Sequence, residues 1–193
     1  MAIDSLISYF NEYLVLNDKE IAFLKEVFSA RKIKRRQFIL QAGDVCKFNT
    51  FVVEGCLKMY LVDESAKEHN LQFATEAWWI GDIGSFHGEK PSSLFIEALE
   101  PSTILQIAKK DHNRMFVEHP KFNRIFRVIA ENALVSAQGR ILQNIGSTAE
   151  ERYADFIERY PTLFNRISNV QIASYLGVTP EFLSTIRKRM AKA

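Results

Sequence analysis

The chain has 193 residues, with 25 basic against 23 acidic side chains and 47% apolar content. That suits one large or two small domains with a packed core, and excludes a disordered chain. No apolar run exceeds four residues, far short of the ~18 a membrane helix needs, and Met1-Ala-Ile-Asp lacks the basic-then-apolar order of a secretory signal. The two cysteines, Cys46 and Cys56, exclude a disulfide-built scaffold and point to a reducing cytoplasm.

Residues 3–29 have helical spacing. Asn17-Asp-Lys-Glu20 forms a capping-box pattern, followed by Ile21, Leu24, Val27 and Phe28 at steps of three, three and one. Arg31-Lys-Ile-Lys-Arg-Arg36 is a basic cluster. Its charge suits a solvated strand edge, with contact to DNA flanks as the rival reading.

From about 31 to 110 the texture changes. Phe38–Leu40, Phe51–Val53, Leu57–Val62, Leu71–Phe73, Leu94–Ile96 and Thr103–Ile107 are strand candidates, separated by turn signals at Gly43-Asp44, Glu54-Gly55, Gly81-Asp82 and Glu100-Pro101. Many short strands with regular turns predict a sandwich or barrel. Residues 111–145 predict a long helix with Pro120 near its start. Its apolar stripe runs through Phe122, Ile125, Phe126, Ile129 and Ala133 to Ala137, Ile141 and Ile145. That stripe is long for packing on one small barrel and predicts a dimer seam.

Charge is uneven along the chain. Residues 1–138 carry 17 basic and 18 acidic side chains, whereas 139–193 carry 8 and 5, and the last seven residues hold four cations and no acid. A basic end on a balanced body suits a polyanion partner.

Residues 169–188 carry the most specific pattern. Ile172, Tyr175 and Leu176 form the inner face of one helix, and Ala173 leaves room for a crossing neighbour. Gly177 can take the left-handed turn, and Val178 fills it. Thr179 can cap a second helix with Pro180 at its first position and Glu181 at the positive end of its dipole. Leu183, Ile186 and Met190 hold that helix down. Glu181, Ser184, Thr185 and Lys188, spaced 0, 3, 4 and 7, project together. A helix-turn-helix presents such residues to base edges, while Arg187, Arg189 and Lys192 suit phosphates.

With these residues in place, the chain resembles the Crp–Fnr family of bacterial transcription regulators over nearly its whole length. The resemblance rests on Phe38-Ile-Leu-Gln-Ala-Gly43-Asp44 with Phe51-Val-Val-Glu-Gly55, on Gly139-Arg-Ile141, and on Gln171 to Lys188. It implies an α+β fold: a cyclic-nucleotide-binding-like β-barrel of the jelly-roll type flanked by helices (1–110), a dimerisation helix (111–146) and a winged helix-turn-helix (147–193). It also implies a homodimer on a double-stranded DNA operator, with RNA polymerase as a further candidate partner and no catalysis. Because the chain ends just after the second helix, wing strands are expected before it, at Arg166-Ile-Ser168.

The resemblance places an effector pocket at Gly81, Asp82, Ile83, Gly84, Ser92 and Ser93. Members that bind cyclic AMP carry a Gly-Glu segment and then an Arg-Ser pair. Here Asp82 stands for the Glu, Pro91 precedes Ser92, and Lys90 is one residue off; a displaced lysine is not a bidentate arginine. The polar residues those members use on the long helix correspond to Ile125 and Phe126. Cyclic nucleotide is therefore disfavoured and the effector is unknown. Two cysteines fall short of an iron–sulfur cluster. A redox pair of Cys46 and Cys56 is less expected than two small buried side chains. His87-Gly-Glu89 is too little for a metal site. The rival from another class is a cupin-like barrel that binds a small molecule or metal, with C-terminal helices that are only structural. A regulator that senses nothing is a third reading.

Overall fold

The capping box at Asn17 forms as its spacing predicts. The Asn17 side chain accepts from the Glu20 N–H at 3.0 Å, and the Glu20 carboxylate accepts from the Asn17 N–H at 2.7 Å. It starts α2 (Asp18–Val27), which follows α1 (Ala2–Asn11). The computed structural model describes residues 2–190; Lys192 lies outside them. The chain divides into two compact units, residues 1–61 with 71–129 and residues 62–70 with 130–193.

The first unit is a jelly roll with helices on one side. Its strands are β1 (Phe28–Ile33), β2 (Phe38–Leu40), β3 (Phe48–Glu54), β4 (Leu57–Val62), β5 (Glu68–Ala74), β6 (Trp79–Ile80), β7 (Leu94–Ala98) and β8 (Ser102–Ala108), of which β4 and β5 run on into the second unit. They form two four-stranded sheets, β1-β8-β3-β6 and β2-β7-β4-β5, which do not close into one barrel. Ile33, Val52, Ile80 and Ile104 from the first sheet meet Leu40, Leu57, Ala74 and Ile96 from the second in a buried apolar core. Alternation sends the neighbouring side chains of β8, Leu105 and Ile107, to the other face, against Leu6, Phe10, Phe23 and Leu24 of the two helices.

All six strand candidates form. β1 and β6 go beyond them. Phe28, taken above as the end of a helix, is the extended cap of α2, so the chain passes from helix to strand without a turn. Among the described residues β1 pairs only with β8, Phe28 opposite Ile107 and Ile33 opposite Ser102. Arg31, Lys32, Lys34, Arg35 and Arg36 are exposed on and just beyond this edge strand. Gly55 shows what a turn signal means physically: its φ is +101°, and a Cβ there would lie 2.2 Å from the Ser102 Oγ.

A short leading helix, α4 (Lys109–Glu118), precedes Pro120, the alternative that Pro120 near the start of the stretch allows, and the long helix α5 (Lys121–Gly146) follows it; the short helix α3 (Ile83–Gly88) comes before both. The seam expected along α5 needs correction. Phe122 and Ile125 are fully buried in the core of the first unit beside Phe10 and Met115, and Phe126 and Ile129 pack against that core. Ala133 is exposed. The reason is angular. Each step of four turns a stripe by about 40°, so from Ile129 to Ile145 it rotates about 160° around the helix. One apparent stripe is thus two faces. Leu134, Val135, Ile141, Leu142 and Ile145, 57–80% exposed, lie on the second.

The second unit continues with α6 (Ala149–Arg159), a 3-10 turn (Leu163–Asn165), α7 (Asn169–Leu176) and α8 (Pro180–Met190). Tyr153, Phe156, Leu163, Ile172, Leu176, Leu183 and Ile186 are among its buried residues. No strand forms at Arg166–Ser168, nor anywhere else among the described residues from 130 to 190, so the wing expected there is absent. Ser168 instead caps α7, exchanging bonds with Gln171 in a capping box like those of Asn17 with Glu20 and Thr148 with Glu151.

Candidate nucleic-acid interface

The turn between α7 and α8 is built from local chemistry. Gly177 sits at φ +70°, where only glycine is free of Cβ strain. Its N–H and that of Val178 return to carbonyls of α7, the latter to Ala173 at 3.0 Å. Thr179 Oγ1 accepts from the Phe182 N–H at 3.2 Å and caps α8. Ala173, Leu183 and Ile186 are fully buried where the two helices meet.

α8 presents the expected residues outward with one adjustment. Glu181, Thr185 and Lys188 are exposed, and Ser184 is half-buried. The Ser184 hydroxyl donates to the Pro180 carbonyl at 2.9 Å, and the Thr185 hydroxyl to the Glu181 carbonyl at 3.1 Å. Both therefore offer lone pairs to a ligand rather than protons. Met190, expected to pin the helix, is 41% exposed.

The basic exit is partly spent on the protein itself. Arg187 is half-buried, donates to Asn169 Oδ1 and lies over the Phe164 ring, 4.4 Å from its centroid. Its expected role as a free phosphate contact is corrected: it ties α8 to the start of α7 and the 3-10 turn before it. Arg189 pairs with Glu150 at 3.4 Å on the surface. Lys188 has no acidic partner among the described residues.

A web that sequence spacing cannot reveal holds α7. The end of the β4–β5 hairpin belongs to this unit. Ser174 Oγ donates to the Glu68 carbonyl at 2.6 Å and accepts from the Asn70 N–H at 3.1 Å; Asn70 Nδ2 donates to the Gln171 carbonyl at 3.0 Å. The Arg140 guanidinium donates to the carbonyls of Asn70 (2.9 Å) and Tyr175 (3.2 Å) and stacks over the Tyr175 ring at 4.1 Å. Phe182, also passed over above, is 42% exposed on α8. Its one sequence signal is an apolar residue outside the Leu183–Ile186 register.

The effector-pocket residues of the jelly roll are brought together but satisfy one another. Asp82 caps α3, accepting from the Ser85 N–H at 3.1 Å, and its second oxygen accepts from the Ser92 hydroxyl at 2.6 Å. The Ser92 Oγ also accepts from the Leu94 N–H. Ile83, Gly84 and Ser93 are exposed around them. The nearby cavity, lined by Cys46, Thr50, Ile80, Gly81, Ile96 and Gln106, has about 20 Å³ of free space, room for roughly one water. Cys46 and Cys56 are buried and unbridged, and burial pushes the Cys46 thiol up, away from the reactive thiolate.

One chain thus carries a jelly roll, a long helix and a helix-turn-helix in that order. The family model "Cyclic nucleotide-binding domain" matches residues 30–119. The Fumarate and nitrate reduction regulatory protein of Vibrio cholerae is 25% identical over 190 residues, covering 92% of this chain and 75% of that protein. FixK2 of Bradyrhizobium japonicum superposes with a TM-score of 0.73 at 17% identity over 86% of this chain and 85% of its own. A Eubacterium rectale protein described as a Crp–Fnr regulator gives 0.70 at 16% identity over 95% and 88%. The chain is similar to regulators of the Crp–Fnr family over most of its length. These relatives are named as regulators.

Proposed function

We propose that the chain is a homodimeric, cytoplasmic regulator that reads a roughly palindromic DNA operator with α8, without cyclic nucleotide as its effector. The observation that carries this is the outward ridge of Glu181, Ser184, Thr185 and Lys188 on a helix fixed by Thr179, Gly177 and the buried Leu183 and Ile186. Glu181 can accept from a cytosine amino group, and Ser184 and Thr185 can accept from cytosine or adenine. Lys188, Arg189 and the Thr179 hydroxyl proton suit phosphates, which set register rather than sequence.

The exposed face of α5 supports the dimer. Five large apolar side chains on one side of about three turns bring ~1.5–3 kcal/mol each when buried, which a second copy of the helix supplies. Against cyclic nucleotide stands Asp82. Its carboxylate already holds the Ser92 hydroxyl, and Pro91 stands where a guanidinium would be needed for the phosphate.

Selection of binding duplexes from a random library by the full chain, followed by titration, tests the reading. The expected result is one enriched palindrome, with affinity falling steeply in salt by a log–log slope of about −0.9 per phosphate contacted. Glu181→Ala is expected to lose discrimination at one base pair by ~1–3 kcal/mol. Enrichment of no sequence overturns the proposal.

A further inference from the structure

We propose that Phe182 is a base-reading residue that takes up the 5-methyl group of a thymine in the major groove; this rests on the DNA-binding reading above. Leu183 and Ile186 are fully buried and fix the inner side of α8. At about 100° per residue, Glu181, Thr185 and Lys188 lie opposite them. Phe182 and Arg189 share one flank of that outer ridge, and Ser184 takes the other. The Phe182 ring is 42% exposed and makes no ring contact among the described residues. It contributes to no core cluster. Its own N–H is bound by Thr179 Oγ1, so the side chain leaves from a fixed stretch of main chain in the first turn. The first turn is where a helix-turn-helix brings side chains against base edges.

The chemistry names the ligand. Thymine alone among the bases carries an apolar group on its major-groove edge, and Phe is among the side chains that pack on it. Thr185, three residues on and so beside Phe182 on the helix surface, has committed its hydroxyl proton to the Glu181 carbonyl and adds a methyl of its own. Phe182 and Thr185 thus make an apolar step next to the acceptor Glu181. The step fits a thymine adjacent to the base pair that Glu181 reads.

The test uses the full chain and the operator it selects from random duplexes. Each thymine is replaced singly by deoxyuridine, which deletes only the methyl, and the affinities of wild type and Phe182→Ala are compared. At one thymine per half-site the wild type is expected to weaken about fourfold, the worth of one buried methyl group. Phe182→Ala is expected to bind the thymine and uracil duplexes alike, within about 1.5-fold, and Phe182→Leu to regain part of the methyl dependence. A wild type indifferent to deoxyuridine at every position, or a variant as sensitive as the wild type, overturns the assignment while leaving α8 as the reading helix. A wild type that selects no duplex overturns the DNA-binding reading and this assignment with it.

Discussion

His112 is a neutral imidazole sealed in an aromatic box, and acid should unfold the sensor through it. The side chain, on α4, is 4% exposed, and neither ring nitrogen has a hydrogen-bond partner. Its ring lies 5.4 Å from that of Phe86, 4.6 Å from Phe116, 5.1 Å from Phe126 and 6.2 Å from His87. Burial away from water, and secondarily the charge of His87, bring its pKa down from 6.5 to about 4. In the unfolded chain it titrates near 6.5. Above that pH neither state is protonated and the site costs nothing extra. As the pH falls from 6.5 toward 4 the unfolded chain takes up a proton that the folded chain refuses, so stability drops by ~1.4 kcal/mol per pH unit, to a total of about 3 kcal/mol.

Both tryptophans, Trp78 and Trp79, lie in the sensor unit, so urea unfolding followed by tryptophan emission reports this unit. Between pH 7.5 and 5.0 the wild type should lose ~2 kcal/mol more than His112→Phe, since 1.5 of the pH units lie below 6.5. At pH 7.5 the variant should be within about 1 kcal/mol of the wild type, because both unpaired nitrogens leave with the ring. Carboxylates whose pKa is lowered in the fold, such as Glu20 beside Lys121, also lose stability in acid, but equally in both proteins. Identical pH dependence in the two proteins, or a His112 titration near 6.5 by NMR, refutes the reasoning.

The exposed face of α5 predicts that Leu134→Glu with Ile141→Glu converts a dimer to a monomer, read by light scattering, while tryptophan-detected stability of the sensor changes by less than about 0.5 kcal/mol. The two positive-φ glycines should differ. Gly177→Ala meets open space and should cost ~1–2 kcal/mol of backbone strain, whereas Gly55→Ala adds a clash with Ser102 and should cost ~2–5 kcal/mol; thermal or urea unfolding ranks them, and equal costs would contradict the clash. Calorimetric titration with cyclic AMP or cyclic GMP at micromolar protein should give no binding heat, and saturable binding there would show that Ser92 and Asp82 release one another.

What was legible in the sequence is what local chemistry decides. Asn17 with Glu20 and Gly177 with Thr179 and Pro180 each act within a few residues, and each forms as spaced. The six strand candidates were visible because apolar runs alternate with turn residues. β1 was hidden because its burial comes only at its ends, with four exposed residues between Phe28 and Ile33, so it carries no alternation. The α5 stripe misled because a run of steps of four looks continuous in sequence yet winds around the helix; Phe122 and Ile145 differ by about 140°. The hold of Asn70 on Ser174, 104 residues apart, leaves no spacing to find.

The same contrast explains why Gly139-Arg-Ile141 was visible as a motif while its purpose was not. A helix as short as α7 is marginal by itself, and its last carbonyls need partners. Gly177 and Val178 return N–H groups to Ala173 and Ser174, which leaves the carbonyls of Tyr175 and Leu176 facing out. Arg140 donates to the first and Arg152 to the second, at 3.2 Å each. Arg152 also holds the Ser147 carbonyl at 2.7 Å, at the end of α5. Two fixed positive charges at the negative end of the α7 dipole are favourable in themselves. They also tie the first helix of the reading motif to both sides of the α5–α6 break. The placement of α8 follows from that of α7, with which it shares Ala173, Leu183 and Ile186 as buried contact residues. The placement of the α8 ridge that carries Glu181 and Phe182 is therefore set by cations on α5 and α6 rather than by residues of α8 itself.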